Sequence, residues 1–464
     1  MKNLNRRNFI KKSSLTAASL YTAANLACSE EYEKTPSGGK YMGDFAAPKL
    51  DLIRIAIIGV GGRGLGHAKQ LASIEGTEIV AISDLHEYLV DRSVTACINN
   101  GNGRHQNITR YYGDENQWKK IFEEVKPNVV IIATNWLNHA SMAIESMKKG
   151  AHCFVEVPIA VTLEEMWDLV NTSEQTQKHC MMMENVNYGR EELLYLNLCR
   201  KGIIGDLLHG EAAYIHDLRD QMNDEKRGEG SWRPFHIAKR NGNLYPTHGL
   251  GPIAQYMNLS RGEDQFKTLV SFSTPAIGRN LYAEKNYHES HIWNTMNFKG
   301  GDLNTSIIKT NLGRTIMVQW DETSPRPYSR LNLIQGTKGT LAGYPTRVAL
   351  EGGVPGVTEN HHSWAEKDEL GELYDQFEHP MYKRLGALAK KMGGHGGMDF
   401  MMLYRIIECL REGLPLDQNV YEGCFWSAVS PLSEASVAQG GMPQKFPDFT
   451  RGAWNQTNPL AIVS

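Results

Sequence analysis

The sequence is poor in cysteine and lacks the cysteine spacings that metal sites or disulfide frameworks use. Seven cysteines occur in 464 residues, without a C-x-x-C pair and without a compact cluster of cysteine and histidine. This pattern argues against a zinc-binding module and against a fold held together by disulfides. We therefore expect no bound metal, and we expect the cysteines after Cys28 to be buried thiols that behave as small hydrophobic residues.

Long apolar runs, an excess of one charge and internal repeats are also missing. No stretch of about 18 apolar residues occurs, which argues against a membrane-spanning helix. The 49 basic and 52 acidic residues give a net charge of −3, which argues against a nucleic-acid-binding protein. No period of roughly 20–50 residues is present, which argues against solenoids and propellers. With 41% hydrophobic residues, the composition is that of a globular protein of about two or three domains.

The first residues have the layout of an export signal. Basic residues that include the pair Arg6 and Arg7 precede a mildly apolar stretch at residues 15–27. This order is typical of a secretory signal peptide, and the arginine pair resembles a bacterial twin-arginine signal, which exports folded proteins with their cofactor in place. We interpret residues 1–28 as a twin-arginine-type signal peptide, with a basic disordered tail as the alternative.

Cys28 ends this segment and partly resembles the attachment site of a bacterial lipoprotein. Residues 29–49 are rich in Glu, Ser, Gly, Pro and Lys, which is typical of a tether. They are therefore predicted to be a linker, and lipid attachment at Cys28 stays open. Together these features predict a protein that is periplasmic or anchored by lipid at the cell envelope.

A glycine-rich turn follows the first predicted strand of the mature chain. An apolar strand at residues 52–58 leads into the turn, a helix follows at 65–74, and a second strand at 78–83 ends at Asp84. The turn contains Gly59, Gly61, Gly62, Arg63 and Gly64. Strand, glycines, helix, strand and acid in this order predict a dinucleotide-binding unit, in which backbone N–H groups approach a pyrophosphate at a helix N-terminus. A carboxylate at Asp84 would bind the ribose hydroxyls and repel a 2′-phosphate, so we expect NAD and not NADP.

Alternation of strands and helices continues to about residue 185, so residues 50–185 are predicted to form a Rossmann domain that binds NAD. Further strands are predicted at 128–134, 152–155 and 180–183. Because parallel strands end at one edge of the sheet, polar and aromatic residues after them should share a crevice. Each such residue could also be structural; the candidate cofactor contacts are Trp136, His139, Glu156, Val157 and Asn185.

The pattern changes after residue 190. Predicted strands now dominate, at residues 207–217, 267–273, 303–311 and 315–321. They predict that residues 186–464 form an α+β substrate-binding domain with a mainly antiparallel open sheet, so the fold class is α/β with a second α+β domain. Residues 218–245 are polar and are predicted to be a long loop, which is either functional or disordered.

Several motifs resemble known families. The glycine turn and Glu156-Val157-Pro158 resemble the Gfo/Idh/MocA oxidoreductase superfamily, although its usual lysine is replaced by Val157. The chain is more closely similar to glycoside hydrolase family 109, the NAD-dependent α-N-acetylgalactosaminidases, whose members also lack that lysine. The matching stretches are residues 155–157, 184–188, 209–210, 214–219, 231–233, 244–252, 326–328 and 394–399.

The resemblance implies a redox-neutral hydrolysis. NAD takes a hydride from C3 of the sugar, the C2 proton is removed, the C1 substituent leaves, water adds at C1 and the hydride returns, which differs from hydrolysis by a pair of carboxylates. His248 is the first candidate for the C3 hydroxyl proton and Tyr188 for the C2 proton, although these duties could be exchanged. Candidate substrate contacts are Tyr214, Arg233, Tyr245, His248 and Tyr328.

The residues leave two other functions open. A net NAD-dependent sugar dehydrogenase is the main alternative, and a sugar-binding protein without activity is the other. The sugar, N-acetylgalactosamine at a glycan terminus, is inferred from the family alone. Superfamily members often associate through the open sheet face, so a homo-oligomer is expected. His395 and Asp399 either support the site from a helix start or merely cap that helix.

Overall fold

The computed structural model describes residue 33 and residues 35–224, 232–353 and 362–463. The predicted signal peptide and Cys28 lie outside these ranges. None of the helices within them combines the length and hydrophobicity that crossing a bilayer requires.

A six-stranded parallel sheet organises the N-terminal half. Its strands are β1 (Ile53–Ile58), β2 (Thr77–Ser83), β3 (Thr109–Tyr111), β4 (Val129–Ile132), β5 (His152–Val155) and β6 (Cys180–Met182). Their order is β3-β2-β1-β4-β5-β6, the order of a dinucleotide-binding Rossmann sheet. The central strands are apolar throughout because helices cover both faces. The predicted fold class is confirmed here; β3 was missed because it is a short edge strand with two exposed residues.

Five helices connect the strands of this sheet in the described chain. They are α1 (Gly62–Ser73), α2 (Glu87–Asn100), α3 (Ile121–Glu124), α4 (Trp136–Lys148) and α5 (Leu163–Thr176). The side chain of Asn135 accepts a hydrogen bond from the N–H of Leu137 and caps α4. Thr162 and Glu165 form a reciprocal capping box on α5. These caps fix the residue at which each helix begins.

A nine-stranded sheet organises the C-terminal half. Its strands are β7 (Leu207–Ile215), β8 (Phe266–Ser273), β9 (Leu303–Thr310), β10 (Thr315–Asp321), β11 (Leu333–Gly336), β12 (Gly339–Ala342), β13 (Arg347–Leu350), β14 (Ala365–Glu366) and β15 (Gln444–Lys445). The order is β14-β13-β12-β11-β7-β10-β9-β8-β15. Among the described strands of this second sheet, only β7 and β10 pair in parallel, so the predicted, mainly antiparallel sheet is confirmed.

The remaining α-helices pack around this sheet, and two of them, late in the chain, pack against the first sheet. They are α6 (Arg190–Arg200), α7 (Arg233–Lys239), α8 (Thr247–Tyr256), α9 (Gly278–Asn286), α10 (Ile292–Thr295), α11 (Gly371–Phe377), α12 (Pro380–Met392), α13 (Met398–Glu412) and α14 (Val420–Ala438). The predicted loop at 218–245, of which residues 225–231 lie outside the described ranges, contains α7 and a 3-10 helix at Arg219–Asn223. That prediction was wrong in part, because Pro234 starts α7 and apolar residues within it are buried.

Packing does not follow the predicted domain boundary at residue 185. Phe400 and Leu403 of α13 share an apolar cluster with Ile55 and Ile57 of β1. The helices α12 and α13 therefore complete the core of the Rossmann half although they come late in the chain. Each of these helices has an apolar face, and packing that face against the parallel sheet removes it from water.

The segment predicted to be a linker packs against the protein from residue 40 onward. The ring of Tyr41 stacks on Tyr421, with 4.8 Å between the centroids, and the backbone N–H of Lys40 donates to the carbonyl of Glu174. Met42 and Ala47 are buried. A tether would leave these side chains in water, so the linker prediction does not hold for residues 40–49.

The cysteines of the described chain are thiols. Five of them are buried, namely Cys97, Cys153, Cys180, Cys409 and Cys424, and Cys199 is partly buried. Burial raises the pKa of the Cys97 thiol to about 12, which keeps it protonated. The prediction of buried, unreactive thiols is confirmed for these five.

Candidate active site

The carboxyl ends of the parallel strands open onto a cleft of about 890 Å³. Residues after β1, β2, β4, β5 and β6 line one side, and residues of β7, α7 and α8 line the other. Of the predicted cofactor contacts, ten line the cleft: Gly59, Gly61, Gly62, Arg63, Asp84, Trp136, His139, Glu156, Val157 and Asn185. The cleft therefore joins the nucleotide-binding edge of one sheet to the second domain.

The glycine turn brings the N-terminus of α1 to the cleft. Gly59 has φ +84°, and a Cβ there would lie 2.6 Å from the carbonyl oxygen of Ala133. Gly61 has open space where its Cβ would be, so a ligand can approach the backbone. Gly64 does not line the cleft; a Cβ on it would come 1.9 Å from the carbonyl oxygen of Gly59. The predicted cofactor contact at Gly64 is thus corrected to a packing role between β1 and α1.

Asp84 lies at the end of β2 and also closes the glycine turn. One carboxylate oxygen accepts from the backbone N–H of Val60 at 2.9 Å, and the other accepts from the N–H of His86 at 3.2 Å. Across the cleft, the buried side-chain oxygen of Asn185 has no hydrogen-bond partner within the protein. A dinucleotide, which offers ribose hydroxyls and an amide, fits this set of groups.

Arg63 connects the glycine turn to the C-terminal half through two buried carboxylates. Its guanidinium donates to Glu156 at 2.8 Å and to Asp399 at 2.8 Å. His67 contacts the same Glu156 oxygen at 2.6 Å, and the side-chain amide of Asn185 donates to Asp399 at 2.6 Å. The sequence pointed to Glu156 and Asp399 separately, but only the fold shows that one arginine holds both.

These carboxylates are held in their charged form. Burial alone would raise the pKa of Glu156, but the Arg63 charge and the hydrogen bond to His67 hold it well below its usual range. Burial would also raise the pKa of Asp399. Its hydrogen bonds to His395 and Arg63 outweigh burial and hold that pKa far below its usual range. His395 therefore supports the site through Asp399 and is more than a helix cap, and it lines the cleft as well.

His248 forms a hydrogen-bonded pair with Glu184. Its Nδ1 lies 2.6 Å from a Glu184 carboxylate oxygen, and the glutamate is fully buried. His248 stands in the first turn of α8, which lies against β7 because Gly249 has no side chain; a Cβ there would come 2.3 Å from the N of Ala213. With Nδ1 held by the carboxylate, Nε2 is left to accept a proton from a ligand. Sequence reasoning missed Glu184; its position at the end of β6 was the available signal.

Aromatic rings and an arginine surround His248. The centroids of Tyr245 and Tyr214 lie 5.0 Å and 5.5 Å from its ring. The guanidinium of Arg233 lies 4.9 Å from the Tyr245 centroid and 5.6 Å from that of Trp136. All of them line the cleft. The arrangement offers flat apolar faces and a fixed set of N–H donors, the chemistry that sugar recognition needs.

Tyr214 also pairs with a second histidine of the cleft. Its hydroxyl lies 3.0 Å from Nδ1 of His216. Burial raises the pKa of Tyr214 well above its usual value, and desolvation lowers the pKa of His216. At neutral pH the pair is thus a neutral phenol beside a neutral imidazole, joined by this hydrogen bond. His216 was not among the predicted site residues.

Two further predicted cofactor contacts, His139 and Val157, line the cleft without offering a free polar group to a ligand. His139 lines the cleft, but its ring nitrogens face the carbonyl oxygens of Pro158 and Thr134 at 2.8 Å and 3.1 Å. Burial lowers the pKa of His139, so the neutral ring donates to one of them. Val157 contributes an apolar wall at the position where the superfamily has lysine.

Tyr188 does not line the cleft. Its ring belongs to the apolar cluster of the Rossmann half, and its hydroxyl donates to Asp417 at 3.2 Å. Burial raises the pKa of Tyr188 well above normal. The predicted role at C2 is therefore corrected, because the Tyr188 side chain lies outside the cleft. Tyr328 also stands outside the lining, with its centroid 5.1 Å from that of His216.

Replacing Tyr188 with phenylalanine tests this correction. We expect kcat to change by less than about threefold, while the lost hydrogen bond lowers the free energy of unfolding by about 1 kcal/mol. Steady-state kinetics and urea titration measure the two effects. A loss of kcat of a hundredfold or more in a normally folded variant would restore Tyr188 as a base.

Comparison with known families agrees with both halves of the structure. A family profile described as "Glycosyl hydrolase 109, C-terminal domain" matches residues 188–456. A second, described as "Oxidoreductase family, NAD-binding Rossmann fold", matches residues 53–184. Among the residues that the structure describes, no group of three His, Cys, Asp or Glu is placed to hold a metal ion.

Similar proteins cover nearly the whole chain. A "Glycosyl hydrolase family 109 protein 1" of Akkermansia muciniphila is 62% identical over 427 residues, which are 92% of this chain and 88% of the relative. A family 109 protein of Shewanella putrefaciens is 49% identical over 466 residues and 100% of both chains.

Solved structures share the fold at low sequence identity. An NAD binding oxidoreductase from Klebsiella pneumoniae has a TM-score of 0.62 at 14% identity, over 85% of this chain and 99% of its own. Levoglucosan dehydrogenase in complex with NADH and levoglucosan has a TM-score of 0.61 at 18% identity and the same coverage. At these identities the likeness establishes the fold alone.

Proposed function

The chain belongs to glycosyl hydrolase family 109, and from this premise we propose that it hydrolyses terminal α-linked N-acetylgalactosamine by an NAD-dependent, redox-neutral cycle. The family and an NAD-binding Rossmann domain are established by the matches, as the motifs indicated. The observation that carries the proposal is the His248–Glu184 pair, which faces the same cleft as the glycine turn. A proton acceptor beside a nucleotide-binding edge is what oxidation of a sugar hydroxyl requires.

The residues that would hold NAD are those at the strand ends. Backbone N–H groups at the start of α1 suit the pyrophosphate, and Asp84 suits the ribose hydroxyls. Asn185, with its unpartnered buried oxygen, suits the carboxamide end. When bound, NAD would take a hydride from C3 of the sugar and later return it, which makes C3 a ketone in between and acidifies the proton on C2.

His248 would take the proton of the C3 hydroxyl. Its Nδ1 is held by Glu184 at 2.6 Å, so the negative carboxylate stabilises the imidazolium that forms. The buried glutamate also fixes the orientation of the ring. His248 would give the proton back to O3 when the hydroxyl is restored.

Tyr214 with His216 would handle the proton on C2. The neutral imidazole of His216 accepts the phenol proton across 3.0 Å as the phenol oxygen takes the proton from C2. Loss of the C2 proton forms a C1–C2 double bond and breaks the bond from C1 to the leaving oxygen, which takes a proton from solvent. Water then adds at C1 and loses a proton to solvent, while C2 takes its proton back through Tyr214 and His216. This relay takes over the role that sequence reasoning gave to Tyr188.

Arg233 and Tyr245 would set the sugar's position. The guanidinium offers a fork of donors to the acetamido oxygen or a ring hydroxyl, and the Tyr245 ring offers a face to the C–H groups. Their contact, 4.9 Å from guanidinium carbon to ring centroid, keeps both in place without substrate.

The first test is hydrolysis of a nitrophenyl α-N-acetylgalactosaminide in D₂O, by purified protein and without added NAD. We expect released sugar with deuterium at C2, which requires both C2 exchange with solvent and a retained cofactor. Release without deuterium would contradict the proposed C2 chemistry. No release, together with NADH accumulation when NAD⁺ and free sugars are supplied, would instead favour a net sugar dehydrogenase. No lysine lines the described part of the cleft, which weighs against that alternative.

Export is part of the same proposal. A redox-neutral cycle needs no fresh cofactor, so a protein folded around NAD in the cytoplasm could work at the cell envelope. The signal at residues 1–28, lipid attachment at Cys28 and association into a homo-oligomer stay predictions.

A further inference from the structure

Two tyrosines outside the cleft continue its aromatic wall toward solvent. Tyr328 lies edge-on to His216, with 5.1 Å between the centroids, and edge-on to Tyr214 at 6.2 Å. Tyr344 follows at 5.9 Å from Tyr328. Tyr214 and His216 line the cleft, whereas Tyr328 and Tyr344 do not. The four rings therefore form a row that leads out of the site.

The outer two rings are exposed, yet they are held in place. Tyr328 is 41% exposed and Tyr344 is 37% exposed. Between them, the guanidinium of Arg330 lies 5.6 Å from one centroid and 5.2 Å from the other, and it donates to the Tyr328 hydroxyl at 2.8 Å. Arg330 is itself buried and donates to Glu192 at 3.0 Å. A buried ion pair thus fixes the direction of two exposed aromatic side chains.

Tyr344 stands in a backbone conformation that tyrosine rarely adopts. It has φ +54° in the turn between β12 and β13, and Leu331 and Asn332 beside it have φ +59° and +51°. The N–H of Gly343 bonds the carbonyls of Leu331 and Asn332, which ties the strained segments together. Strain of this kind is costly and is retained where geometry matters for function.

We propose that Tyr328 and Tyr344 form a platform for the sugar ring to which the terminal residue is attached. This inference rests on the proposed function and adds to it the two side chains that contact the aglycone. The row starts at the rings around the reacting sugar, so the next pyranose would extend along it. Tyrosine faces match the C–H faces of such a ring, and the hydroxyls match its polar rim.

The test compares one substrate that reaches the platform with one that cannot. The probes are a trisaccharide with terminal α-linked N-acetylgalactosamine and methyl α-N-acetylgalactosaminide, whose aglycone has no ring. For the native chain, kcat/KM should be higher for the trisaccharide. Tyr344→Asn removes the ring while tolerating the left-handed backbone, and it should lower the trisaccharide's kcat/KM about tenfold, or about 1.4 kcal/mol, with the methyl glycoside unchanged.

Two further variants make the result specific. Tyr344→Phe keeps the ring and should retain most of the preference for the trisaccharide. Tyr404→Asn is the matched control, since Tyr404 also has an arginine near its ring, with 5.6 Å to Arg384, but lies on α13 outside the cleft; it should leave both substrates unchanged.

Failure of the platform proposal and failure of the proposed function would give different results. Equal losses on both substrates in Tyr344→Asn, or no preference for the trisaccharide in the native chain, would overturn the platform and leave the glycosidase standing. Failure of the native chain to hydrolyse either substrate would overturn the proposed specificity and the platform with it.

Discussion

Replacing His248 with alanine is expected to lower kcat by about a thousandfold, the usual contribution of a positioned acid–base group. The imidazole is the group we place at the C3 hydroxyl, and its Nδ1 is paired with the fully buried carboxylate of Glu184. NAD content should stay unchanged, because the glycine turn and Asp84 are not altered. Steady-state kinetics on the nitrophenyl glycoside and spectroscopy of the bound nucleotide measure both quantities.

His209→Gln is the control for this prediction. His209 is half-buried on β7 and bonds Thr315 at 2.8 Å, outside the cleft, so its loss should not change kcat. If His248→Ala retained more than a tenth of the native kcat, His248 could not be the base for the C3 hydroxyl.

Glu184 is expected to act only through His248. Glu184→Gln keeps the shape of the side chain but removes the charge that stabilises the imidazolium, so kcat should fall by at least about tenfold with little change in KM. In the double variant with His248→Ala, kcat should be no lower than in His248→Ala alone. Additive losses would mean that Glu184 has a separate, structural effect.

Replacing Arg63 with methionine is expected to cause the largest loss of stability. The change leaves the buried carboxylates of Glu156 and Asp399 without their shared cation, and breaking a buried pair in this way costs about 3–5 kcal/mol. Thermal and urea unfolding with saturating NAD in all samples would measure the loss, so that a change in cofactor occupancy adds little. Arg384→Met is the control: its pair with Glu408 is partly exposed, and about 1 kcal/mol or less is expected.

The difference in unfolding free energy between the native chain and Arg63→Met should decrease as the pH falls. The pKa values of Glu156 and Asp399 are lowered in the folded protein, so their pairing with Arg63 stabilises the fold above the ordinary carboxyl pKa of about 4. That stabilisation is lost as the pH falls through the folded-state values. The difference between native and Arg63→Met should therefore be full near pH 7 and shrink below about pH 4. A difference that did not change with pH would mean that lost packing, and not charge, destabilises the variant.

The local parts of the nucleotide site were predictable because neighbouring residues determine them. The glycine turn, the start of α1 and Asp84 are set by the order of strand, glycines, helix and strand, which periodicity and glycine placement reveal. Trp136 and Glu156 followed from the rule that parallel strands end at one edge. The Gly64 prediction went too far, because its missing side chain serves helix packing and not the ligand.

The pairs that give the site its chemistry were not predictable in this way. His248 and Glu184 are 64 residues apart in the chain, and Arg63 and Asp399 are 336 apart. Local periodicity contains no information on contacts of that separation. Tyr188 shows the converse: its motif pointed to the site, but the fold buries the ring beneath the Rossmann sheet.

What the sequence by itself determined was the class of protein: a Rossmann unit for NAD, a second sheet, and a family resemblance that the matches confirm. Only the tertiary structure decided which side chains work together. It brought Glu184 to His248 and the late helix α13 to the glycine turn. The physical reason is that apolar faces far apart in the chain must be buried against each other, and that burial sets which polar groups meet in the cleft.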